Sequence, residues 1–125
     1  MTDLQVKQLA LLDDTVAHYN STNRGIIVNN KGGNDSCHYS PSATSEGCSI
    51  GRQIKDKKLC KKFDLKKNTP VELLEGLPEE LLEYGLPFLR VLQRFHDSNE
   101  CWNENGLTEV GKENYEIIKS NYKLN

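Results

Sequence analysis

The sequence contains no apolar run approaching the ~20 residues that a membrane-spanning helix requires. It has little excess charge, with 16 Lys+Arg against 18 Asp+Glu. A net charge of −2 argues against a protein that coats duplex DNA. Nucleotide and metalloprotease signatures are missing: there is no Walker loop, no G-x-G-x-x-G and no H-E-x-x-H. No internal repeat, linker or low-complexity block divides the chain. The opening Met1-Thr2-Asp3-Leu4 lacks the basic start and apolar block of a secretory signal, so a soluble cytoplasmic protein is expected. Tryptophan occurs once, as Trp102, and proline four times.

What is present suits one small domain spanning residues 1–125. That length is too short for a TIM barrel or a two-half dinucleotide fold. A hydrophobic share of 36% is too high for full disorder. Thr2 followed by Gln5 fits a capping box, and Leu4, Leu9, Leu12, Val16 and Tyr19 recur at helical spacing to about Asn20. Ile26-Ile27-Val28 and Ser36 to Tyr39 flank an Asn- and Gly-dense stretch and predict a small β-hairpin. Ser40 to Glu46 reads as a polar loop, and Cys48 to Ile54 as a short helix or turn.

Further helices are predicted over Lys57–Phe63, from Thr69-Pro70 to near Gly76, and from Pro78 to near Gly85. The clearest runs from Phe88 to about Asp97, with Phe88, Leu89, Leu92 and Phe95 on one face and Arg90, Arg94 and Asp97 off it. Residues 103–106 read as a loop, and Thr108 caps a last helix containing Val110, Tyr115 and Ile118. The expected fold class is mainly α, a single helical domain with one small β-hairpin near residues 26–39.

Charge is unevenly placed. Arg52, Lys55, Lys57, Lys58, Lys61, Lys62, Lys66 and Lys67 are interrupted only by Asp56 and Asp64, so this segment carries +6 and the rest −8. Such a cluster gathers anions through a local field that the net charge hides; the alternative is a plainly solvated helix face. The four cysteines, Cys37, Cys48, Cys60 and Cys101, lack zinc-knuckle spacing. Cys37, His38 and Cys48 offer three zinc ligands with Cys60, His96 or Cys101 as a fourth, but buried free thiols are the expected state, with no metal and no cofactor.

Two catalytic readings fail on context. Gly47-Cys48-Ser49-Ile50-Gly51 matches the G-x-S-x-G nucleophile elbow, but that motif needs a strand-turn-helix in a large parallel sheet. His96-Asp97 is shared with metal phosphohydrolases, yet a two-metal site needs several more ligands. The expectation is a protein that is not an enzyme.

Three segments in order carry a resemblance: Cys37-His38-Tyr39, then Gly47-Cys48-Ser49-Ile50-Gly51-Arg52, then Leu92-Gln93-Arg94-Phe95-His96-Asp97. With Trp102 and Gly106-Leu107-Thr108-Glu109, they resemble a family of short phage proteins with a Cys-x-Tyr, Gly-Cys-x-Ile-Gly and Leu-Gln-x-x-His-Asp pattern. The pattern covers most of the chain after Gly25, although the Ser40–Glu46 loop looks longer than in relatives. This family looks similar to the phage anti-CBASS sponge proteins. The resemblance implies a homo-oligomer that sequesters a cyclic oligonucleotide defence signal, intact, in the cytoplasm of the infected host cell.

A cyclic dinucleotide presents two bases and two phosphates, which call for stacking platforms and for cations or free amides. Tyr39 beside Gly51 and Arg52 offers stacking and a phosphate contact, and a helix start after Ile50 adds N–H groups. Arg90, Gln93 and His96 follow one another at three-residue steps along one helix, and Trp102 supplies a second platform. These seven residues are the candidate ligand site. Each has a structural alternative: Tyr39 and Trp102 as core aromatics, His96 as a helix cap, Arg52 as an ion-pair partner. The second function considered is a phage inhibitor or adaptor that binds a host protein through the acidic, Leu-rich stretch Val71–Leu86.

Overall fold

The computed structural model describes residues 1–27, 36–66 and 69–125. Helix α1 spans Asp3–His18 and opens with the predicted capping box: the Thr2 hydroxyl accepts from the Gln5 N–H, and the Gln5 side chain accepts from the Thr2 N–H. Its buried positions are Gln8, Leu11, Leu12 and Thr15, with Tyr19 just beyond its end. Leu4 lies outside this stripe and is largely exposed.

Strands β1 (Ile26–Ile27) and β2 (Ser36–Cys37) pair antiparallel, with Ile26 opposite Cys37. Val28 and the Asn- and Gly-rich stretch expected as their turn lie outside the described residues. A single 3-10 turn at Gly51–Gln53 follows, then α2 at Lys57–Asp64. Asp56 caps α2 by accepting from the Lys58 and Leu59 N–H groups, and Cys60 and Phe63 are its buried positions.

The helix expected from Thr69-Pro70 to Gly76 is only a 3-10 turn at Val71–Leu73. Five residues between Pro70 and the positive-φ Gly76 are too few to repay helix nucleation, and the Val71 N–H is instead donated to the Gln93 side chain at 3.0 Å. Helix α3 is one turn at Glu79–Leu82, and α4 spans Leu86–Asp97. Phe88, Leu89, Leu92 and Phe95 are buried, as their spacing predicts. Gln93, His96 and Asp97 are buried as well, so the expectation that Asp97 lies off the buried face does not hold.

Residues 103–106, read as a loop, are the turn region of a second hairpin: β3 (Trp102–Asn103) pairs antiparallel with β4 (Gly106–Leu107). Helix α5, Glu109–Asn121, is capped by the Thr108 hydroxyl on the Gly111 N–H at 3.1 Å. The protein is mainly helical, and α4 is its central element, packing against α1, β2, the 71–73 turn and α5. Among the described residues no helix is long and apolar enough to cross a membrane.

Candidate functional site

The three motif segments converge on the C-terminal half of α4. The His38 N–H donates to the Gly25 carbonyl at 2.9 Å, and the Cys48 N–H donates to the His38 carbonyl at 2.8 Å. These bonds lay the 47–51 segment along β2, close enough that Cys37 and Cys48 form a disulfide. That corrects the expectation of four free thiols: backbone pairing brings the two sulfurs together although eleven positions separate the residues. Cys60 and Cys101 are free and buried, as expected.

Glycine makes this approach feasible. Gly47 has φ +102°, and a Cβ there would overlap the Tyr39 carbonyl. A Cβ on Gly51 would overlap the Tyr39 backbone. Gly51 is therefore a close-packing position rather than an open amide for a phosphate, and it is buried.

The other candidate residues are likewise engaged. Tyr39 is 3% exposed; its hydroxyl accepts from Gln93 Nε2 at 2.7 Å, and its ring meets Phe63 edge-on. Gln93 thus joins Tyr39 to the Val71 N–H. Trp102 is buried, its indole N–H donating to the Phe95 carbonyl at 3.2 Å. Neither aromatic presents an open face, so the expected stacking platforms are core anchors. Burial pushes the phenols of Tyr39 and Tyr19 well above the usual tyrosine range.

Arg52 sits between two carboxylates, 2.6 Å from Asp14 and 3.2 Å from Glu46. Arg90 pairs with Glu72 at 3.3 Å. Neither guanidinium stands open to a phosphate in this arrangement.

His96 is fully buried at the end of α4. Its Nδ1 lies 2.7 Å from Asp97 Oδ1, and its Nε2 meets the Arg24 carbonyl. Arg24, which the sequence did not single out, is buried and returns the contact: its guanidinium donates to the His96 carbonyl at 3.0 Å and to Asn99 Oδ1 at 2.6 Å. A buried cation on the last carbonyls of a helix is the favourable end of its dipole. The structure therefore brings Tyr39, Gly51, Gln93 and His96 together as a buried frame, with Trp102 beside it, and leaves Arg52 and Arg90 in separate surface ion pairs. Ser49 of the G-x-S-x-G match is buried, and its hydroxyl meets no partner among the described residues.

Two surface features adjoin this frame. A cleft of about 190 Å³, part polar and part apolar, is lined by Ser21, Thr22, Arg24, Ile26, His38 and Ser45 among others. The second is α2. Asp56 is taken up by the helix cap. Asp64 accepts from the Tyr39 N–H at 2.7 Å and the Ser40 N–H at 3.3 Å. Lys57 donates to the Gly51 and Ile54 carbonyls. Lys55, Lys58, Lys61, Lys62 and Lys66 remain exposed, and among the described residues none of them forms an ion pair. Lys67 lies outside the described residues.

No protein-family model, no curated protein and no solved structure matches the chain.

Proposed function

We propose that this chain is a phage-encoded immune-evasion protein that binds and holds a cyclic oligonucleotide signal without turning it over, with α2 as its anion-gathering face. The observation that carries this reading is the fate of Asp56 and Asp64. Both carboxylates inside the basic segment are turned toward backbone N–H groups, and Asp64 also toward His38, rather than toward lysines, so Lys55, Lys58, Lys61, Lys62 and Lys66 stand exposed without an ion pair among the described residues and outnumber the two acids. A field of that sign concentrates a small phosphate ligand. The hydroxyl-lined cleft adds neutral hydrogen-bonding groups. The resemblance to phage sponge proteins supplies the ligand class, and with it a cytoplasmic homo-oligomer.

Tyr39, Gln93, His96 and Trp102 support the frame in this reading rather than touch the ligand. Calorimetry against cyclic di- and trinucleotides tests it. Binding is expected with the ligand recovered intact, and Lys61→Glu with Lys62→Glu should weaken it about tenfold or more. Absence of heat with every member of the panel would sink the proposal.

The second reading, a protein-binding inhibitor, is favoured by Leu73 and Leu82. Both are exposed within the acidic stretch 71–86. Leu73→Ser with Leu82→Ser would abolish capture of a host protein while sparing nucleotide binding.

A further inference from the structure

Cys37, His96 and Asp97 place a sulfur, an imidazole nitrogen and a carboxylate oxygen within 4.8 Å of one another, all buried. The Cys48 sulfur is bonded to that of Cys37. We propose that reduction of the Cys37–Cys48 bond converts this cluster into a zinc site, with Cys37 Sγ, Cys48 Sγ, His96 Nδ1 and Asp97 Oδ1 as its ligands. The proposal is independent of the nucleotide reading.

The donor set is right for the metal. Two thiolates, one imidazole and one carboxylate fill a closed tetrahedral site, the structural kind, with soft ligands that favour zinc over magnesium or calcium. The surroundings are those of a ligand shell. His96 Nε2 faces the Arg24 carbonyl, which takes that N–H and leaves Nδ1 as the coordinating atom. The Gly51 N–H points at Cys48 Sγ at 3.4 Å, where it stabilises a thiolate. His96 and Asp97 are the last two residues of α4, where a cation meets the negative end of the helix dipole. Two thiolates and a carboxylate leave a site charge of −1 around Zn2+, and the buried Arg24 guanidinium on the His96 carbonyl offsets it. In the metal-free chain, Nδ1 and Asp97 Oδ1 approach to 2.7 Å only with a proton between them, and zinc takes that proton's place.

A dithiol or phosphine reductant supplies two electrons, the S–S bond breaks, and two protons complete the thiols. The dithiol leaves as its own disulfide, and a phosphine leaves as its oxide with water as the oxygen source. Zinc binding then releases the two thiol protons and the bridging imidazole proton to solvent. A small-molecule disulfide oxidant reverses this: it takes the two electrons and leaves as two thiols, the Cys37–Cys48 bond re-forms, and the zinc ion is released.

The test uses the full chain, stripped of metal and reduced with a phosphine, then titrated with zinc against a chromophoric chelator. One zinc per chain is expected, and Co2+ in its place should give the intense visible bands of a tetrahedral thiolate complex. The oxidised chain should give neither. Asp97→Ala and Cys48→Ser each remove a ligand and should weaken zinc by more than the roughly 10–100-fold that loss of an outer-shell partner costs, while Cys60→Ser and Cys101→Ser should leave it unchanged. Circular dichroism reports whether each variant folds, and the wild-type cobalt spectrum, reduced against oxidised, decides the question without any variant. Failure of the reduced chain to take up either metal, uptake by the oxidised chain, or loss of uptake in Cys60→Ser or Cys101→Ser would overturn the proposal.

Discussion

Gln93 donates from Nε2 to the Tyr39 hydroxyl at 2.7 Å, across 54 positions of sequence, with both groups buried. The same amide accepts the Val71 N–H through Oε1. One side chain on α4 thereby fixes both the segment just after β2 and the 71–73 turn. Buried amides of this kind are costly to leave half-satisfied. Gln93→Leu should destabilise the chain by about 2–4 kcal/mol, since it strands the phenol and a backbone N–H at once. Tyr39→Phe should cost about 1–2 kcal/mol. Urea unfolding of both single variants and the double variant checks this; a coupling below about 0.5 kcal/mol would show that the two residues act independently.

Gly51 tests how tightly the motif segments are stacked. Its missing side chain is where the Tyr39 backbone passes. Gly51→Ala forces the two backbones apart and should lower stability by about 1–3 kcal/mol, as overpacking does. Gly76→Ala serves as a contrast. Nothing lies within 4 Å of its Cβ position, so its cost comes from the backbone conformation at φ +78° alone. Thermal unfolding of the two variants separates crowding from conformational strain.

The helices were legible where local chemistry decides them. Thr2 and Gln5 mark the start of α1, and the Phe88, Leu89, Leu92 and Phe95 stripe marks α4. The frame itself was harder to read, because polar residues form its inner side. Even so, Leu89, Gln93 and His96 stand at i, i+4 and i+7, the same periodicity as the apolar stripe. Helical geometry alone puts those two polar side chains against the core. A reading that scores only apolar residues takes them for ligand contacts. The disulfide was hidden for another reason. Nothing near Cys37 or Cys48 in sequence indicates that the His38 carbonyl will accept the Cys48 N–H, and that backbone bond aligns the two segments.

Tyrosine ionisation supplies a pH dependence with a defined sign. Burial raises the phenols of Tyr19 and Tyr39, and burial together with the Asp13 hydrogen bond pushes Tyr115 up to about 12. In the unfolded chain these groups lose their protons near 10, the ordinary value. Between that value and the folded ones, the native state holds more protons than the unfolded state, so stability falls as pH rises. Below it, the tyrosines contribute no pH dependence. Urea midpoints should therefore be insensitive to tyrosine ionisation near neutrality and decline above about pH 10. Tyr115→Phe should flatten part of the decline. A phenolate absorbance that rises fully while the native fold persists would contradict the burial of Tyr19 and Tyr39.

The disulfide gives the last prediction, one that holds in metal-free buffer. Cys37 and Cys48 close a short loop with a sequence separation of 11. The loop-closure relation assigns such a cross-link about 3 kcal/mol, gained by restricting the unfolded chain. Reduction removes that restriction and places two thiols beside the buried His96–Asp97 pair. The reduced, metal-free protein should therefore unfold at a urea concentration lower by the equivalent of about 2–3 kcal/mol. Cys60→Ser should leave this difference in place, since Cys60 lies outside the bond. Identical midpoints for the oxidised and reduced chains would mean that the hairpin and the 47–51 turn are held by their backbone bonds alone, with the sulfur bridge adding nothing.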